Sequence, residues 1–212
     1  MKTKTRINIV TGTIALVAMA LSSAVSAQAN VTFYDGLFTK NWNVTNVNVG
    51  TGGTTATAAN GLGSRKTTMT VNAGTSNAVQ VVHLNKAFFW HFKAQGAIST
   101  IDYSESLKTV GGQIGSGPVI VQLKNGITKV YCARYIVDTL GLFVVKNMNG
   151  LTAANFGEIR SNLYGIDMNS HPDLSVNGGI LQFGYLQTIS TYNTSYTREG
   201  WVDDYQLRIW PL

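Results

Sequence analysis

Along this chain the apolar positions fall in short runs of β-branched and aromatic residues, broken by Gly and Asn, and each run has the length of a strand. Such runs occupy residues 31–34, 42–45, 67–71, 78–82 and 97–103. Residues 119–123 and 127–135 flank Asn125-Gly126, and two apolar strands around Asn-Gly predict a hairpin. Further runs at 180–186 and 202–209 complete roughly ten short strands. This spacing predicts an all-β fold, an antiparallel two-sheet β-sandwich of jelly-roll type, rather than βαβ units. One stretch departs from it: Thr152 is a plausible cap before Ala153 and Ala154, which predicts a single helical turn. Residues 46–63, rich in Gly, Thr, Asn and Ala, read as a long exposed connection.

Strict alternation through the last strand would place Trp201, Asp203, Tyr205, Leu207 and Ile209 on one face and Val202, Asp204, Gln206, Arg208 and Trp210 on the other. The first set is apolar apart from Asp203. It is therefore expected to face the core, with one carboxylate pointing inward and needing compensation.

Composition supports the strand reading, since 22 Gly and only 12% charged residues suit strands and turns better than helices. The N-terminus has a separate character. Lys2, Lys4 and Arg6 precede an apolar run at residues 14–21 and the small residues 22–27, the layout of a secretory signal. That run is shorter than the roughly 18–20 apolar residues a membrane span needs. We expect residues 1–27 to be a cleavable signal peptide, residues 28–212 a single β-sandwich domain, and the product extracellular, periplasmic or at the cell surface. Of 16 basic residues three belong to the signal, which leaves 13 against 10 acidic ones, scattered along the chain. Nucleic-acid binding needs a concentrated basic face, so this class is excluded. The single cysteine, Cys132, allows no intrachain disulfide, and its apolar neighbours place it in a strand interior.

The segment Trp201-Val202-Asp203-Asp204-Tyr205-Gln206-Leu207 resembles the closing strand of concanavalin A-like and laminin G-like jelly rolls. Carbohydrate-binding modules with the same sandwich also end in an aromatic or aliphatic residue, an Asp pair and alternating apolar residues. Residues 171–179, leading into Ile180-Leu181-Gln182-Phe183-Gly184-Tyr185, resemble the matching part of bacterial exported jelly-roll proteins. The resemblance covers about the last 45 residues, and one sandwich architecture serves many functions. Some carbohydrate-binding members hold a structural calcium through an Asp of the closing strand and an oxygen ligand from an early strand. The resemblance thus makes Asp203 and Asp35 candidate calcium ligands. The alternative is that Asp203 accepts backbone N–H bonds at a loop.

Candidate catalysis finds little support. No Glu-x-Asp-x-Glu strand is present, and the nearest carboxylates, Asp102 and Glu105, are offset by three and point to opposite faces of a strand. The three histidines show no zinc-binding spacing, and no Gly-x-Ser-x-Gly elbow occurs. Binding is the better-supported class. The consecutive aromatics of residues 88–92 cannot all face one core on a strand, so some of Phe89, Trp90 and His91 are expected to point outward or to lie in a loop. Trp90, His91, Tyr192 and Tyr196 are the candidate sugar-contacting residues, with simple packing at the open end of the sandwich as the alternative. The sequence thus points to a secreted jelly-roll binding or surface module with carbohydrate or a cell-surface glycan as its expected partner. Two alternatives stay open, an extracellular polysaccharide hydrolase or lyase and a structural component of an envelope or matrix.

Overall fold

The computed structural model describes residues 29–212 apart from 39–40, 51, 60–62, 75, 138–140, 161–164 and 192. The expected signal, residues 1–27, lies outside the described residues. The chain runs through β1 (Val31–Asp35), β2 (Trp42–Val49), β3 (Gly53–Ala59), β4 (Arg65–Val71) and β5 (Asn77–His91). A short helix, α1 (Phe92–Gln95), precedes β6 (Ile98–Val110), β7 (Ile114–Lys124), β8 (Ile127–Cys132), β9 (Tyr135–Val137) and β10 (Val144–Leu151). A 3-10 turn at Ala153–Asn155 leads to β11 (Gly157–Glu158), β12 (Ile180–Thr191) and β13 (Tyr196–Pro211). Among the described residues no helix is long and apolar enough to cross a membrane.

These strands form two antiparallel sheets, the jelly-roll β-sandwich that the spacing of the runs predicts. One sheet has six strands in the order β10-β6-β13-β4-β3, with β1 also paired to β13. The other has seven, in the order β11-β8-β7-β12-β5-β2, with β9 paired to β7. The expected helical turn is present, and Asn155 Oδ1 accepts from the Thr152 N–H at 2.8 Å and from its hydroxyl at 3.0 Å. The expected long connection at 46–63 is not: β2 continues to Val49 and β3 forms a sheet edge. Thr and Asn on these edge strands keep polar side chains in solvent while the backbone pairs, which is why composition alone suggests a loop.

The core lies between the sheets and is densely aromatic. Tyr205 packs against Trp42, Tyr103, Phe88 and Tyr185 with ring centroids 5.1, 5.7, 6.0 and 6.1 Å apart. Each ring buried in this way contributes roughly 1.5–3 kcal/mol of apolar burial. Trp42 is oriented by its indole N–H, which donates to Asp35 Oδ2 at 2.8 Å. Asp35 is thus a structural acceptor for the core, and its Oδ1 also accepts from the Leu37 N–H at 3.1 Å.

A bulge in β13 decides which residues reach this core. Asp203 pairs with Ser106 and Gln206 with Ser104, so Asp204 and Tyr205 together oppose Glu105 alone. Asp204 takes φ +49, the left-handed region that Asp tolerates better than most residues. The extra residue shifts the phase of alternation, so Val202 and Tyr205 both face inward and Asp203 turns outward. The expected inward placement of Trp201 and Asp203 is therefore corrected, because strict alternation fails at a bulge. Asp203 Oδ1 accepts the Asp204 N–H at 2.8 Å, the loop role that stood as the alternative to a metal.

The interior also holds polar groups. Glu105 is fully buried, and its Oε1 accepts hydrogen bonds from Ser116 Oγ and Tyr135 Oη, both at 2.6 Å. His83 is fully buried too, stacked on Tyr185 with centroids 4.3 Å apart and 3.2 Å from Thr67 Oγ1. Burial, reinforced by Arg65, lowers its pKa well below the usual value and keeps the ring neutral.

Two expectations follow. At Asp204 a β-branched residue is strained by the positive φ, so Asp204→Val is expected to cost about 1–3 kcal/mol in urea unfolding and Asp204→Asn much less. Burial raises the Glu105 pKa above its usual 4.5, against the hydrogen bonding that lowers it. The folded state therefore holds this proton more tightly than the unfolded chain. The resulting stability is fully present below pH 4.5 and is lost as pH rises through the folded value. Glu105→Gln should abolish that decline, which a pH series of unfolding curves on both proteins would reveal.

Candidate functional site

The outward face of the seven-stranded sheet carries apolar side chains, because β7 is apolar on both of its faces. Ile120 points into the main core, whereas Val119, Val121 and Leu123 point outward. At one end of this face Ile159 is buried with Val82, Val119, Cys132 and Leu186, and Ile166 packs against the same group. Cys132 is a free, buried thiol, and burial pushes its pKa up to about 12.

Ion pairs tie down the described residues beside these isoleucines, Glu158 and Arg160 next to Ile159 and Asp167 next to Ile166. Glu158 Oε2 accepts from Arg160 at 2.7 Å and from Lys129 at 3.1 Å, and Arg160 also reaches Asp167 at 3.0 Å. The Arg160 hydrogen bond is the main reason the Glu158 carboxyl is held down at about 2.

Beyond this cover the face is open. Four neighbouring strands present two cross-strand rows. In one, Ile180 of β12 stands opposite both His91 and Leu123, and Leu123 stands opposite Thr128. In the other, Gln182 stands opposite both Phe89 and Val121. These seven residues line a trough of about 460 Å3. The Phe89 ring is 36% exposed and lies 6.4 Å from the His91 ring, centroid to centroid. Gln182 is held in place by donating to the Asn85 carbonyl at 2.8 Å. The trough continues past His91, Leu123 and Ile180 into a second recess of about 560 Å3 that adds Val176 and Gly179 and the polar Lys93, Lys124, Asn125 and Asn177. An apolar floor therefore ends in polar groups. Lys124 is ion-paired with Asp173, on the loop that closes this end. Gly179 lets that loop pass close to β7: it has φ +80, and a Cβ there would lie 2.3 Å from the Leu123 carbonyl oxygen.

Of the candidate sugar-contacting residues, His91 lines the trough. Trp90 does not. It points into the core, fully buried, with its indole N–H donating to the Gly96 carbonyl at 2.9 Å. Alternation along β5 sends Phe89 and His91 outward and Trp90 inward. Tyr196 stands at the start of β13, beyond the far end of β12 from the trough; its hydroxyl donates to the Ser190 carbonyl, and the Arg198 guanidinium covers its ring at 4.5 Å. Tyr192 lies outside the described residues. Asp35 ends β1 opposite Tyr205, and Asp203 lies at the bulge of β13 opposite Ser106; among the described residues there is no group of three or more His, Cys, Asp or Glu that could hold a metal ion.

The carboxylates considered for catalysis occupy separate settings. Asp102 faces outward on the six-stranded sheet, Glu105 is in the core, and Glu158 is clamped by Arg160 and Lys129. Glu199 pairs with Lys66 at 2.5 Å, also on the six-stranded sheet. None of them lines the trough. The trough residues that the sequence reading passed over are Val121, Leu123, Thr128, Ile180 and Gln182. The unbroken apolar run 119–121 followed by Leu123 was their signal, since a strand apolar on both faces must cover one of them or expose it.

No family model matches the sequence, and no curated protein matches it. Among solved structures, the chain is similar to a family 11 carbohydrate-binding module from Clostridium thermocellum in complex with a β-1,3-1,4-mixed-linked tetrasaccharide. The identity is 14%, the overlay covers 86% of this chain and 96% of that one, and the TM-score is 0.50. A family 11 module of a cellulosomal cellulase from the same organism gives 15% identity, 86% and 95% coverage, and a TM-score of 0.48. A family 61 module in complex with β-1,4-galactotriose gives 13%, 81% and 90%, with a TM-score of 0.33. The first overlay defines a shared fold: the chain is a jelly-roll sandwich of the architecture found in carbohydrate-binding modules, as the concanavalin-like resemblance of its closing strand implies.

Because Gly179 combines positive φ with a backbone contact, Gly179→Ala is expected to cost about 1–3 kcal/mol in chemical unfolding. A loss below about 0.5 kcal/mol would mean that the loop does not press on β7.

Proposed function

We propose that this chain is an exported, non-catalytic glycan-binding module whose binding face is the trough on the seven-stranded sheet. The observation that carries the reading is the pairing, within one open groove, of an exposed aromatic and aliphatic floor with polar side chains at its margins. A sugar ring has the complementary character, with C–H groups on its faces and hydroxyls around its edge. In this reading Phe89 packs against a ring face, with Ile180, Val121 and Leu123 extending the floor. His91, Thr128 and Gln182 then meet the hydroxyls, and Asn125 and Asn177 do so further along. Rigid positioning on four hydrogen-bonded strands limits the entropy lost on binding. Trough and recess, about 460 and 560 Å3 and joined at His91, Leu123 and Ile180, offer more room than one sugar ring fills, which suits an oligosaccharide.

The fold shared with a carbohydrate-binding module and the export signal expected at residues 1–27 support the same reading. A glycan is what an exported module of this architecture would meet.

Affinity electrophoresis and a glycan array that includes polymeric plant, bacterial and algal glycans test it. The wild-type chain should be retained by at least one glycan. Phe89→Ala should weaken that binding about tenfold or more, equivalent to ~1.4 kcal/mol. Ile180→Arg, which places a charged chain in the trough, should abolish it with the circular dichroism spectrum unchanged. Retention that neither substitution alters, or no retention by any glycan, would contradict the reading.

A further inference from the structure

The opposite face of the sandwich has a different chemistry. On the outside of the six-stranded sheet, Arg208 stands opposite Asp102, and Gln206 stands opposite Ser104, which also faces Asn147 of β10. With Asn149 these residues line a recess of about 140 Å3. That is the space of about five waters, the bulk of a single sugar ring. Trp210, 38% exposed, borders it through β13.

The recess is organised from below and unsatisfied above. Both oxygens of Asp102 are engaged at 2.7 Å, one by the Gly150 N–H and the other by the Trp210 indole N–H. The first bond joins the end of β10 to β6, and the second fixes the tilt of the Trp210 ring. Arg208 lies 5.8 Å from the centroid of that ring and makes no ion pair among the described residues, not even with Asp102 across the strand pair. Among the described residues the side-chain amides of Asn147, Asn149 and Gln206 likewise have no hydrogen-bond partner. Trp201, the other indole on this face, is differently placed. Lys108 and Lys66 cover it at 4.1 and 5.3 Å, and its N–H donates to Glu199.

We propose that this recess is a second sugar site, built for an acidic sugar residue bearing a carboxylate. The free guanidinium fork of Arg208 matches a carboxylate in two parallel hydrogen bonds. The three amides supply donors and acceptors for ring hydroxyls, and Trp210 offers a face for the apolar side of the ring. Asp102 remains an anion on the recess wall, with its two oxygens turned to the Gly150 and Trp210 N–H donors. Lys146 pairs with Glu105 in register and so belongs to the inward side of β10, which leaves Arg208 as the cation that selects charge here. The site does not rest on the trough reading, because it lies on the other sheet and uses none of the same residues. Together the two faces would let one module bridge two glycan chains.

The test is a titration of the full chain carrying Ile180→Arg, so that the trough is closed. The probes are a tetrameric oligogalacturonate and neutral cellotetraose, followed by calorimetry and by the indole N–H signals in NMR. Oligogalacturonate should bind, shift the Trp210 indole signal while those of Trp42 and Trp90 stay put, and weaken as salt is raised. Arg208→Gln should reduce its affinity at least tenfold, and Ser104→Trp, which fills the recess and keeps the charge, should abolish it. Equal binding of both tetrasaccharides would overturn the acidic assignment. No binding of oligogalacturonate, or binding that leaves Trp210 unmoved and survives both substitutions, would overturn the site. Loss of glycan retention through Phe89→Ala in the wild-type background is a separate outcome that bears on the trough alone.

Discussion

Strand β13 is hydrogen-bonded to β6, β4 and β1, so most of the six-stranded sheet is registered on it. Strict alternation along its 16 residues would put Val202 and Tyr205 on opposite faces. The bulge at Asp203 and Asp204 supplies the correction. It lets Val202 cover one part of the core and Tyr205 another, and Tyr205 is the ring around which Trp42, Phe88, Tyr103 and Tyr185 assemble. The same step turns Trp201, Asp203, Arg208 and Trp210 outward together. Core and outer surface of this sheet thus follow from one inserted residue.

The two outer faces diverge for a reason that lies in their strands. β7 is apolar on both faces, so the seven-stranded sheet has apolar surface left over after the core is built. Part of it is buried by Ile159 and Ile166, held down by the Glu158–Arg160–Asp167 charges, and the remainder is the trough. On the six-stranded sheet, β6 alternates cleanly, with Ile101, Tyr103 and Leu107 inward and Asp102, Ser104 and Lys108 outward. That face is polar by construction, so any binding there would depend on hydrogen bonds and charge rather than on a greasy floor.

Much of this was legible before any coordinates. The Asn125-Gly126 hairpin, the Thr152 turn and the two-sheet class follow from local chemistry, which the sequence carries directly. That some of Phe89, Trp90 and His91 point outward could be read, because consecutive aromatics cannot share one face, but not which of them: Trp90, a candidate contact, is in the core. The orientation of β13 could not be read, because alternation assumes an unbroken phase and Asp204 gives no sign that it sits at positive φ. The partnership of Phe89 with Leu123 and Ile180 was hidden for another reason. Residues this far apart in sequence meet only through the pairing order β7-β12-β5, which no local pattern encodes.

The seclusion of Cys132 has a practical corollary. Its thiol sits on β8 beneath the segment that carries Ile159 and Ile166, with a pKa raised to about 12, so it stays silent towards alkylating reagents while that segment is seated. The chain therefore contains its own clock for opening. The speed at which a maleimide captures this sulfur follows the population of states in which it is uncovered, by local or by global opening. A ligand that settled in the neighbouring trough and braced the same sheet would slow that clock, giving a readout of occupancy that needs no label on the ligand.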